Sequence, residues 1–65
     1  MNKLIAEFQS PLGKTPRKMV RVKHDTLNRE YKVEFFINNV WRVNEDYFTT
    51  SREDAMSTAM FWVKT

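Results

Sequence analysis

Few residues in this sequence have the type and spacing that catalysis requires. The chain has no Cys and a single His, His24, which removes most pairings of a nucleophile with a general base. Glu45 and Asp46 are adjacent on a predicted strand, so they point to opposite faces and cannot act as a close carboxylate pair. One His without thiols also cannot form a structural zinc site. We therefore expect a chain that is not an enzyme and that uses no metal or other cofactor.

A short segment, Gly13-Lys14-Thr15, matches the end of a phosphate-binding loop. That motif also requires a glycine five residues earlier and a helix directly after it. Phe8 occupies the first of these places, and Pro16 follows where the helix should begin. The segment therefore predicts a loop and not a nucleotide site.

Basic residues alternate with apolar ones along the predicted strands, so they should collect on one face of a sheet. That face should carry the cations Arg21, Lys23, Lys32 and Arg42, the aromatic Phe36 and the amide Asn44, and only Glu34 interrupts it. The loop and strand start before Arg21 add Lys14, Arg17 and Lys18. Such a face can lie in the major groove of duplex DNA, with cations on phosphates and Arg or Asn on base edges. The alternative is that these charges only hydrate the exposed side of the sheet.

A second candidate contact region lies on the predicted helix and contains Phe61 and Trp62, and Phe36 of the sheet is a further exposed aromatic residue. At about 100° per residue, Phe61 points away from the apolar side of the predicted helix, and Trp62 lies at its flank. Exposed aromatic residues of this kind favour contact with a partner protein or with a second copy of the chain. The alternative is a frayed helix end in which Phe61 folds back onto the body. The sequence predicts no membrane contact and no small-molecule substrate.

Composition indicates one small folded domain, residues 1–65, with a flexible loop at residues 10–17. Hydrophobic residues make up 42% of the 65 residues and aromatic residues 14%, which supplies a core but leaves a thin margin of stability. The net charge of +3 is compatible with a nucleic-acid partner. No apolar run is long enough for a signal peptide or a membrane span, and the lack of Cys fits a reducing compartment. We therefore expect a cytoplasmic protein.

Alternation of apolar and polar residues predicts three strands, at residues 3–9, 18–24 and 31–37. A fourth strand should follow the turn at Asn38-Asn39. A two-residue loop there would put Arg42 and Asn44 on the core face, so the pattern favours a three-residue loop that ends at Val40. This register predicts three cross-strand pairs: Ile37 with Trp41, Phe35 with Val43, and Tyr31 with Tyr47.

A C-terminal helix is predicted directly after the last strand. Thr50 with Glu53 and Ser51 with Asp54 each fit a capping box at its start. The fold class expected is therefore α+β, an antiparallel sheet of three to four strands followed by one C-terminal helix packed on one sheet face. The residues predicted to form the single core are Leu4, Phe8, Val20, Val22, Tyr31, Val33, Phe35, Ile37, Trp41, Val43, Ala55, Ala59, Met60 and Val63.

The junction between sheet and helix resembles a known motif. Phe48 followed by Ser51-Arg52-Glu53-Asp54-Ala55 is similar to the Phe-x-Thr strand end and Thr-x-x-Glu-Ala helix start of AP2-type DNA-binding domains and of integrase arm-binding domains. Phe48 stands one residue earlier than the Phe of that motif, and the resemblance covers roughly residues 17–64. It implies that Arg21, Lys23, Lys32 and Arg42 contact DNA. In size and style the chain also looks like small early proteins of tailed phages, which implies binding to a host protein and modulating or inhibiting it.

Overall fold

The structure is a computed structural model that describes residues 2–11, 13 and 15–65. These residues form five strands and one helix in chain order, with a short 3₁₀ turn between the last two strands. Their bounds are β1 (Asn2–Gln9), β2 (Lys18–Asp25), β3 (Glu30–Ile37), β4 (Val40–Trp41), the 3₁₀ turn (Val43–Glu45), β5 (Tyr47–Thr49) and α1 (Arg52–Lys64). The predicted class, an antiparallel sheet followed by one C-terminal helix, is confirmed.

The sheet is antiparallel throughout. β1, β2 and β3 are neighbours in that order, and β4 and β5 both pair with the far edge of β3. The connection from β2 to β3 is built on Asp25, whose Oδ1 accepts hydrogen bonds from the backbone N–H groups of Leu27 and Asn28 at 3.0 and 3.2 Å. This is the local capping that makes Asp common in turns.

The core lies between α1 and one face of the sheet. The sheet contributes the buried residues Val20, Val22, Val33 and Phe35, and the helix contributes Ala55, Ala59 and Val63. These seven residues were all predicted from alternation in the strands and the apolar stripe of the helix. Because the two alanines carry small side chains, the helix backbone can approach the sheet closely. No helix in the described part of the chain is long and apolar enough to cross a membrane.

The first strand departs from the prediction at Leu4. Leu4 lies opposite Lys23 and Ala6 lies opposite Val22, so Ile5 is an extra residue, a β-bulge in β1. The bulge reverses the facing of the strand before it. Leu4 is therefore exposed on the side away from the helix, and Ile5 packs against the core in its place.

The register predicted for the next hairpin is wrong. Asn38 and Asn39 have φ of 51° and 68°, the positive values of a two-residue hairpin loop. As a result Ile37 pairs with Val40 and Phe36 with Trp41.

The pairs predicted beyond this hairpin are also wrong. The chain leaves β3 after Trp41, passes through the 3₁₀ turn and returns as β5, which pairs Val33 with Tyr47 and Tyr31 with Thr49. Val43, a predicted core residue, lies in the turn and is exposed. Because β4 ends at Trp41, Arg42 and Asn44 lie outside the sheet and do not project from its core face.

The helix begins as predicted. Ser51 is the N-cap residue, and its Oγ accepts a hydrogen bond from the backbone N–H of Asp54 at 3.2 Å. Glu53 and Asp54 lie in the first turn, where the helix dipole favours negative charge. Met60, predicted as a core residue, is exposed, because the helix presents Ala55, Ala59 and Val63 to the sheet and turns Met60 to one side.

Candidate functional site

The outer face of the sheet, defined as the face opposite α1, carries most of the predicted site residues. The strand register arranges its side chains in three rows that run across the strands. The lysine row is Leu4, Lys23, Lys32 and Phe48. The glutamate row is Glu7, Arg21 and Glu34. The aromatic row is Gln9, Met19, Phe36 and Trp41. Cations and rings that are distant in sequence therefore share one open surface.

Two lysines of this face are held by a single carboxylate. Glu34 is only 3% exposed, although it lies on the side of the sheet that no helix covers. Its two oxygens lie 3.0 Å from Lys23 Nζ and 3.1 Å from Lys32 Nζ, and Lys32 Nζ is also 3.6 Å from an oxygen of Asp46. A buried carboxylate requires such partners, so both lysines have a structural role.

Arg21 is paired in a different way. Its Nε lies 2.9 Å from Glu7 Oε2, and both side chains remain partly exposed. The arginine also lies over the ring of Phe36, with 5.1 Å between its Cζ and the ring centroid. The cations of the predicted basic face thus form ion pairs with the carboxylates of Glu7, Glu34 and Asp46. Sequence reasoning missed Glu7, which faces Arg21 once β1 is paired with β2.

Trp41 is the least expected residue of this face, since the sequence places it in the core. Trp41 is 42% exposed and stacks on Phe36 at a centroid distance of 6.4 Å and an interplanar angle of 25°. Its Nε1 donates a hydrogen bond to Asp46 Oδ1 at 3.0 Å, and Lys32 Nζ lies 5.1 Å from its ring centroid. The indole is therefore held in place, and a second ring, Phe48, is 54% exposed on the same face.

Arg42 and Asn44 do not belong to this surface. Arg42 follows the end of β4, and its Nη2 lies 2.6 Å from Glu45 Oε2. Asn44 is in the middle of the exposed 3₁₀ turn. The prediction that both residues project from a fourth strand beside Lys32 is wrong, because that strand is only two residues long.

The basic residues before β2 divide between the two sides of the sheet. The backbone of Arg17 continues the pairing with β3, since its carbonyl accepts a hydrogen bond from Asn38 N–H at 2.8 Å and its N–H donates one to Asn38 Oδ1 at 3.1 Å. By alternation with Met19, Arg17 belongs to the outer side. Lys18 is on the helix side, with its Nζ 5.1 Å from the ring centroid of Trp62. Lys14 lies outside the described residues.

The three predicted protein-contact residues lie in three different surroundings. Phe61 is 73% exposed on the helix, as predicted. Trp62 packs against Phe35, with 4.8 Å between the ring centroids, so it is part of the support of the core. Phe36 lies on the outer face of the sheet. The exposed neighbour of Phe61 is Met60.

One hydrogen bond ties β5 to the start of the helix and shifts two pKa values. The Tyr47 hydroxyl donates to Asp54 Oδ2 at 2.6 Å. This bond lowers the pKa of Asp54 below its usual value, with a further contribution from Thr49, and it raises the pKa of Tyr47. Among the described residues, no group of three or more His, Cys, Asp and Glu side chains could hold a metal ion, and His24 stacks on Tyr31 at 4.5 Å.

No protein-family model, curated protein or solved structure matches the chain. The resemblance to AP2-type and integrase arm-binding domains, and the likeness to small phage proteins, therefore stay predictions.

Proposed function

We propose that this chain is a non-enzymatic, cytoplasmic binding module for nucleic acid, and that the outer face of the sheet is its contact surface. The observation that supports the proposal is the mixing of aromatic rings with cations on one open face: Phe36, Trp41 and Phe48 with Arg21, Lys23 and Lys32. Rings of this kind stack on bases, and cations contact phosphates. The contacts require no bound cofactor.

The ion pairs divide the cations of this face by role. Lys23 and Lys32 neutralise Glu34, which is almost fully buried, and moving them to a phosphate would leave that carboxylate uncompensated. The pair of Arg21 with Glu7 is exposed to solvent, and such surface pairs contribute only about 0–1 kcal/mol. Arg21 can therefore exchange its carboxylate for a phosphate. Arg17, whose side chain has no ion pair in the described part of the chain, needs no exchange.

The test is fluorescence anisotropy of labelled oligonucleotides at several salt concentrations. Affinity should fall as salt rises, because binding releases counterions from the phosphates. Arg21→Ala should weaken binding and reduce the slope of log affinity against log salt by about 1. Arg52→Ala is the matched control, because it removes the same charge from the exposed start of α1. Absence of binding at low salt, to both single-stranded and duplex oligonucleotides, contradicts the proposal.

A second candidate function is contact with a partner protein through the helix, as in small phage-type proteins that modulate or inhibit a host protein. The observation that favours it is Phe61, which is the most exposed aromatic residue of the helix and stands beside the exposed Met60. Phe61→Ser should change the free energy of unfolding by less than about 0.5 kcal/mol and should abolish the contact. Sedimentation of the purified protein and pull-down with the parent and the variant measure this. An unchanged set of partners and oligomers contradicts this second candidate.

A further inference from the structure

The aromatic row lies at the more basic end of the outer face. Phe36 and Trp41 stack on each other in that row, with Arg21 over the Phe36 ring. Arg17 precedes Met19 by two residues and lies at the end of the sheet, and no carboxylate of the described residues forms an ion pair with it. In the middle of the face, the charges of Lys23 and Lys32 are matched by Glu34 and Asp46, and Asp46 also accepts the hydrogen bond from Trp41 Nε1.

We propose that this corner of the outer face stacks an unpaired base on Trp41, so that the ligand is single-stranded nucleic acid. The inference rests on the function proposed above and narrows its ligand. Trp41 offers an exposed indole that the hydrogen bond to Asp46 and the contact with Phe36 already hold in position, so little conformational entropy is lost on binding. Arg17 and Arg21 supply the positive charge for the flanking phosphates.

The arrangement fits a single strand better than a duplex. Bases within a duplex are stacked on each other, and a ring on a flat protein surface can reach them only if they are unpaired. A duplex would present no unpaired base to these rings, so only the cations of the face would contribute to its binding.

A second exposed ring, Phe48, indicates the path that a single-stranded nucleic acid would take along β3. Phe48 pairs with Lys32 and Trp41 pairs with Phe36, and these partners are four residues apart on β3. The rise of a strand places the backbone positions of these two partners about 13 Å apart along β3. A single strand that stacks one base on Trp41 can therefore run along the face toward Phe48.

The experiment compares one oligonucleotide as a single strand and as a duplex, at low salt, with the full chain. The parent should bind the single strand more tightly. Trp41→Ala should weaken single-strand binding by roughly five- to 150-fold, the range for loss of one stacked base, and Trp41→Phe should retain most of the affinity. Val40→Ala is the matched control, because Val40 is exposed, precedes Trp41 in the same strand and points to the other face.

A spectroscopic measurement separates stacking from a loss of fold. Trp62→Phe leaves Trp41 as the single indole, and its fluorescence should be quenched when the single strand binds. Equal or tighter binding of the duplex, an unchanged affinity in Trp41→Ala, or an unquenched Trp41 overturns this inference while nucleic-acid binding itself stands. If neither oligonucleotide binds, the proposed function fails and the inference fails with it.

Discussion

Replacing Phe35 by Ala tests the packing of the whole domain. The Phe35 side chain is 7% exposed and packs on Trp62 across the interface between sheet and helix. Truncation of a buried Phe to Ala costs about 3–5 kcal/mol, of which the aromatic pair accounts for about 0.5–1.5 kcal/mol. A chain of this length is typically stable by about 3–10 kcal/mol. Phe35→Ala should therefore remove at least about a third of the stability of the domain.

Phe36→Ala is the matched control, because the same truncation is made one residue later on the opposite face. Phe36 is half-buried against Trp41 and Arg21, so the expected loss is about 1 kcal/mol. Urea denaturation followed by far-ultraviolet circular dichroism measures both free energies of unfolding. Equal losses, or a larger loss for Phe36→Ala, would refute the assignment of the core to the Phe35 side of the sheet.

Glu34→Gln should move two measurements in opposite directions: unfolding free energy falls by about 1–3 kcal/mol as two charge-assisted contacts are lost, while anisotropy shows tighter oligonucleotide binding at low salt because the face gains positive charge. Leu4→Ser should change the urea midpoint little, since Leu4 is exposed and surface changes cost little; a large loss would contradict the outward facing of Leu4 that the bulge produces. Tyr47→Phe removes the bond that keeps the pKa of Asp54 below its usual 3.8. The stabilisation from this carboxylate is present above that value and is lost as pH falls through the lowered pKa. Urea denaturation of Tyr47→Phe should therefore show a weaker dependence on acid pH than the parent, and an unchanged profile contradicts the link.

The parts of the fold that follow from local pattern could be predicted from sequence. Val20, Val22, Val33 and Phe35 alternate within strands that keep their register, so the side they face is fixed once any of them is buried. The start of the helix was also predictable, because Ser51 satisfies the first N–H groups of the helix through its own side chain.

The prediction errors lie at places where a strand is interrupted, because the alternation of apolar and polar residues does not reveal such interruptions. A bulge adds one residue without changing composition, so Leu4 and Ile5 exchange faces although both are apolar. At the Asn38-Asn39 turn, the longer loop was favoured on the assumption that the following strand is long. β4 is short, so the assumption fails and Trp41 moves to the outer face. A strand's length depends on where the chain turns away, and the residues after Trp41 give no clear signal of that turn.

The candidate site was predictable in its cations and in Phe36. Arg21, Lys23 and Lys32 were placed on the outer face by alternation and are found there. Their neutralisation was not foreseen, because it depends on pairings between strands: Glu7 reaches Arg21 from β1. Asp46 approaches Lys32 only because the 3₁₀ turn brings the chain back to β3.

The order of the strands has a consequence for the kinetics of folding. β1, β2 and β3 form a meander whose connections span residues 10–17 and 26–29, and the turn into β4 spans residues 38–39. Short connections cost little loop-closure entropy, and sheets with a low contact order fold faster than sheets built from distant segments. The contacts between α1 and β1 join the most distant parts of the sequence. We therefore expect the β2–β3 hairpin to form early in the folding transition state and the docking of α1 across β1 to come late.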